Sequence, residues 1–140
     1  MELKDLLVTP FIMIILLVGA YMFRPSATNP LTKRYFMPAL LAKFGGAIAL
    51  GLVYQFYYGG GDTFNYHTHG SRWIWEAFME NPALGVKTFL ATERVGETFK
   101  YTSRIWLFRE HAALTIIKIA AFFDLFTFST YSATALFFAT

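Results

Sequence analysis

The sequence predicts an all-α integral membrane fold, with three transmembrane helices and amphipathic interfacial helices between the second and third. Three observations predict it. The chain is 56% hydrophobic and only 15% charged, against about 45–50% apolar and about 25% charged in an ordinary soluble domain. Three runs are long and apolar enough to span a bilayer, which takes about 20 residues at about 1.5 Å each. The 53 residues between the second and third runs carry apolar stripes at helical spacing. At 140 residues the whole chain, 1–140, reads as a single membrane domain.

The first span is Leu6 to Phe23, eighteen residues without a charge. A cleaved signal peptide would need a positive leading region, which Glu2 and Asp5 spoil, and no small-x-small cleavage site follows. The segment is therefore expected to be a retained span. The second span is Met37 to Tyr58, with one charge, Lys43, near its start. The third is Ala112 to Thr140, twenty-nine residues carrying only Lys118 and Asp124.

Lys and Arg in short loops favour the cytoplasm. The connector 24–36 holds Arg24, Lys33 and Arg34 and no acid, so it is expected inside. The external segment is then 59–111, in which six basic residues are balanced by six acids. The net charge of +3 is scattered, and no basic run exceeds Lys33-Arg34, which excludes a nucleic-acid partner. The lack of cysteine excludes disulfides, a thiolate metal site and a cysteine nucleophile.

Three helical pieces are predicted in the external segment. Ser71 to Glu80 places Trp73, Ile74, Ala77 and Phe78 on one face. Asn81-Pro82 reads as an N-cap followed by proline at the first helical position. From there Pro82 to Thr92 gathers Ala83, Val86, Phe89 and Leu90 into a stripe, with Leu84 pointing elsewhere and Gly85 weakening the helix. Thr98 to Glu110 aligns Tyr101, Ile105 and Phe108, with Trp106 beside them. All three tryptophans lie in this segment, and indoles favour the membrane–water boundary. The stripes therefore lie on the outer leaflet, or pack on the chain's own spans or a partner subunit.

The densest polar cluster follows the second span, as Gly59-Gly60-Gly61-Asp62-Thr63-Phe64-Asn65-Tyr66-His67-Thr68-His69-Gly70. The glycines release the chain from the helix and let backbone approach a ligand. Asp62, near headgroup level, has the chemistry of a general base or of a ligand to a divalent cation. It equally has the chemistry of a cap on the next helix. His67 and His69 are the candidate metal ligands, sharing a face in an extended strand and diverging in a helix. Two histidines alone are an incomplete set. Tyr66 and Arg72 are the candidate substrate-binding residues.

Asp124 is the thirteenth residue of the third span, about 18 Å along a helix. An acid at that depth normally faces a protein interior, a partner or a water-filled cavity. Its role is that of a buried acid held by neighbouring helices or of a proton relay. Lys118, six residues earlier, lies about 240° around the helix and is expected to snorkel outward. Thr127, one turn on, is placed to donate a hydrogen bond to Asp124.

The order of these features resembles the GT-C superfamily of membrane glycosyltransferases, which use polyprenyl-phosphate-linked sugars. The resemblance rests on GGGDTFNYHTHG after the second span, the amphipathic pieces from Ser71 to Glu110, and the third span. The wording GGDTFNY is also similar to that of large bacterial membrane proteins of this kind. The resemblance implies that Asp62 is the catalytic acid and that the protein lies in a bacterial inner membrane. It further implies a polyprenyl-phosphate sugar as substrate and leaves room for a divalent metal. An extra span precedes the one carrying Asp62, and family members have many more spans. The chain ends in the apolar run LFFAT. The expectation is therefore an N-terminal portion of a longer protein, or a non-catalytic subunit completed by other membrane subunits.

Overall fold

The computed structural model describes residues 3–140. Among them the secondary structure is helical throughout, without a strand. The order is α1 (Leu3–Ala27), α2 (Lys33–Phe56), α3 (Asp62–Tyr66), a π turn (His67–Ser71), α4 (Arg72–Glu80), α5 (Pro82–Leu90), a 3-10 turn (Gly96–Thr98), α6 (Phe99–Thr102), α7 (His111–Thr127) and α8 (Tyr131–Ala139).

The contacts divide the chain into two compact units. The first is the described part of Met1–Tyr58 together with Thr130–Thr140, and so holds α1, α2 and α8. Helices of 25 and 24 residues measure about 38 and 36 Å, enough to cross a hydrocarbon core of about 30 Å. Leu40, Phe44 and Leu136 form the core of this unit, packed by Met13, Leu16, Leu17 and Ile48. The tight connection between α1 and α2 is closed by the Arg24 guanidinium, which donates to the Lys33 carbonyl at 2.6 Å. At the other end, the buried Asp5 carboxylate accepts the Ser132 N–H at 3.0 Å. It thereby caps the amino end of α8, where unsatisfied N–H groups and the helix dipole favour an anion. The acid that argues against a signal peptide therefore has a structural task.

The second unit is Gly59–Ser129. Its core is Ile74, Ile105, Phe108, Leu114, Ile117 and Ala121. Helix α4 buries Ile74 and Ala77, with Trp73 and Phe78 packed against the cluster, as its spacing predicts. The predicted cap also forms, because Asn81 Oδ1 accepts the Ala83 N–H at 2.9 Å with Pro82 in the first helical position.

Three local expectations are corrected. Helix α5 buries Gly85 and Thr88 and leaves Ala83, Val86 and Leu90 exposed. The cause is Gly85, where a Cβ would lie 2.3 Å from the Phe78 ring. The glycine that weakens the helix is thus the point where α4 and α5 meet; Leu84 is half-buried, and of the predicted stripe Phe89 packs against the core. Secondly, no long helix covers 98–110. Helix α6 stops after Thr102, and Ser103–Arg109 continues in turns, with Trp106 N–H bonded to the His69 carbonyl at 3.2 Å. Tyr101, Ile105 and Phe108 are nevertheless buried and Trp106 is exposed, so the apolar pattern holds without the helix. Thirdly, the continuous helix expected over 112–140 is two helices, and only the pair α7 and α8 taken together has the length and hydropathy of a span. Phe128 and Ser129 adopt left-handed φ values of 53° and 52°. Both return N–H bonds to the Asp124 carbonyl, which ends α7.

Candidate functional site

The glycine run does conformational work that other residues resist. Gly59 and Gly60 have φ values of +66° and +144°, open to glycine and strained for any residue with a Cβ. They release the chain after α2 and place Asp62 as the first residue of α3, with Gly61 in the cap position. Asp62 is exposed and is engaged by no hydrogen bond or ion pair among the described residues. Its carboxylate is therefore not used by the fold.

Five residues further on, the chain makes a single π turn, a feature common at functional sites. Because the backbone stays helical there, His67 and His69 diverge. The His69 ring lies flat on Trp106, centroids 4.4 Å apart and planes within 6°. The His69 carbonyl also receives the Trp106 N–H, so this histidine is clamped by one residue from both ends. His67 turns inward and is buried. Its Nε2 lies 3.6 Å from Asp124 Oδ1, an electrostatic contact beyond hydrogen-bond length.

Asp124 is fully buried. Helix α7 directs Ala113, Leu114, Ile117, Ala120, Ala121, Asp124 and Thr127 into the unit, and Asp124 continues that stripe near the carboxyl end. The hydroxyl of Ser71 donates to its Oδ2 at 2.7 Å. Gly70 makes the approach possible, since a Cβ there would meet the Ile117 side chain at 2.8 Å. The three side chains form a buried Ser71–Asp124–His67 cluster with the acid in the centre. A hydrolytic triad instead places the imidazole between acid and hydroxyl, so this cluster lacks the order required for nucleophilic catalysis. It has the composition of a polar anchor between the π turn and α7.

The remaining predicted residues are separate from this cluster. Tyr66 is half-buried against the apolar core. Arg72 pairs with Glu76 at 3.5 Å, one helical turn on. Lys118 is half-buried and donates to the Ala91 carbonyl at 3.2 Å. Among the described residues no group of three or more His, Asp or Glu side chains is arranged to hold a metal.

Sequence reasoning missed Ser71 as the partner of Asp124, because the two are 53 positions apart; the small pair Gly70-Ser71 is the signal of a close approach there. It also missed the tie between α4 and α6. Lys100 Nζ donates to Glu80 Oε2 at 2.6 Å, and the Tyr101 hydroxyl donates to the same oxygen. Chiefly through the Lys100 bond, the Glu80 carboxyl is held below its ordinary value, while Glu80 raises both Lys100 and Tyr101. Nearby, the Arg104 guanidinium lies 4.7 Å over the Trp73 ring.

No protein-family model, curated protein or solved structure matches this chain.

Proposed function

We propose that the chain belongs to a membrane-embedded glycosyltransferase of the GT-C kind. It acts on polyprenyl-phosphate-linked sugars at the outer face of a bacterial inner membrane. The observation that carries this reading is Asp62, an exposed carboxylate that the fold leaves unused, held beyond α2 on a glycine-released backbone. In this reading α1, α2 and the broken pair α7–α8 cross the membrane, and the basic connector is cytoplasmic. The amphipathic α4 and α5 lie along the outer surface, where exposed Val86, Leu90 and Trp106 meet lipid.

Asp62 accepts the proton of an acceptor hydroxyl as that oxygen bonds to the anomeric carbon. The sugar–phosphate bond breaks, and the polyprenyl phosphate departs with its electron pair. Tyr66 and Arg72 flank this loop and contact substrate. A divalent cation, if the reaction uses one, would be held by Asp62 and groups of the substrate rather than by His67 or His69.

The test is transfer of labelled sugar from a polyprenyl-phosphate carrier by the membrane-inserted protein. Asp62→Asn lowers turnover by about 100-fold or more, with insertion and expression unchanged. Full turnover in that variant overturns the proposal.

A second reading, a non-catalytic subunit of a larger membrane complex, is favoured by Gly45 and Gly46 on α2, which have open space beside them. Small residues there admit a close helix neighbour. Crosslinking in the native membrane that finds only monomers removes this reading.

A further inference from the structure

The second unit contains a groove of about 340 Å³ between the loop after α5 and the amino end of α7. Arg94, Arg109 and His111 line it, with Phe108 and Leu114 as apolar surface and Glu93 as its acid. Arg94 is fixed in place. One of its terminal nitrogens donates to the Ile105 carbonyl at 2.6 Å, and its guanidinium lies 5.4 Å over the Phe108 ring. The Nε of Arg94 is buried without a hydrogen-bond partner among the described residues. No ion pair joins Arg94 or Arg109 to Glu93 or Glu110 among those residues.

Two arginines against a single acid, one of them held in place by the Ile105 carbonyl, give the groove a net positive lining suited to a phosphate ester. The surroundings select the source. Ile116, Ile119, Phe122 and Phe126 leave the outer side of α7 apolar and exposed, beginning one turn beyond the groove, and Trp106 is 67% exposed. Cations gathered at the amino end of a helix whose outer side is apolar match the passage from headgroup to acyl chain.

We propose that this groove binds the headgroup phosphate of an anionic phospholipid and seats the external segment on the membrane surface. The acyl chains lie along the apolar side of α7. The inference rests on α7 meeting lipid and not on Asp62 or glycosyl transfer, so each idea can fail without the other.

The test is native mass spectrometry of the full chain released from nanodiscs of mixed phosphatidylglycerol and phosphatidylcholine. The wild-type chain retains one phosphatidylglycerol in preference to phosphatidylcholine. Arg109→Gln, at an exposed position that leaves the core untouched, reduces that retention about fivefold, the change expected for one interfacial arginine. Glu93→Gln, which removes the opposing charge, increases it. Equal retention by wild type, Arg109→Gln and Glu93→Gln overturns the site. Displacement of the lipid by millimolar inorganic phosphate overturns its assignment to a phospholipid.

Discussion

The carboxylate of Asp124 and the hydroxyl of Ser71 meet at 2.7 Å across 53 residues of chain, and both are fully buried. This bond ties the π turn that follows the Asp62 helix to the last turn of α7. The carbonyl of the same Asp124 receives the N–H groups that end that helix. One residue therefore sets both the anchor of the loop and the point where the apolar C-terminal run breaks.

Replacing Asp124 by alanine takes the acceptor from the buried Ser71 hydroxyl and the carboxylate from beside the His67 imidazole. The expected loss is about 2–4 kcal/mol. Ser71→Ala removes one hydrogen bond and costs about 1 kcal/mol. The double variant loses less than the sum, because the two side chains share an interaction. Thermal unfolding in detergent, followed by tryptophan fluorescence, checks all three.

Ser129 combines a left-handed backbone with a buried hydroxyl that has no hydrogen-bond partner among the described residues. Glycine adopts this conformation freely and removes the unsatisfied group. Ser129→Gly should therefore stabilise the protein by about 1 kcal/mol, read as a higher Tm in the same melt. A lower Tm would show that the hydroxyl is satisfied in the folded protein.

The tie between Glu80, Lys100 and Tyr101 makes stability depend on pH at both ends. Glu80 titrates below its ordinary 4.5 in the folded chain, so its contribution is present above pH 4.5 and is lost as pH falls through the depressed value. Lys100 and Tyr101 titrate above their ordinary 10.5 and 10.0, so theirs is present below those values and is lost as pH rises through the raised ones. The difference in Tm between wild type and Glu80→Gln should be largest between these limits. It should vanish in acid and shrink in high salt, since the Glu80–Lys100 pair is exposed.

Much of this architecture is written in local patterns. Hydropathy alone places α1 and α2, the Asn81-Pro82 pair starts α5, and the spacing of Ile74 and Ala77 gives the buried side of α4. Asp124 stands out because an acid in an apolar run needs a reason. What remained hidden depends on contacts between distant residues. Nothing around Phe128-Ser129 signals a break, since neither residue favours the left-handed region; the break is closed by bonds to Asp124. The buried side of α5 is set by Phe78 reaching Gly85, which overrides the stripe in α5 itself. The pattern of Tyr101, Ile105 and Phe108 has helical spacing, yet the Trp106 N–H goes to His69, and a chain of turns buries the same residues. The histidine pair shows the same limit, since only the π turn decides which ring faces Asp124 and which lies on Trp106.

The proposed glycosyl transfer requires Asp62 on the side of the membrane opposite the basic connector between α1 and α2. The chain has no cysteine, so single cysteines placed at Asp62 and at the exposed Leu31 report position without a background. A membrane-impermeant maleimide added to intact cells should label Asp62→Cys and spare Leu31→Cys, with both labelled after lysis. Labelling of the two from the same side would overturn that topology.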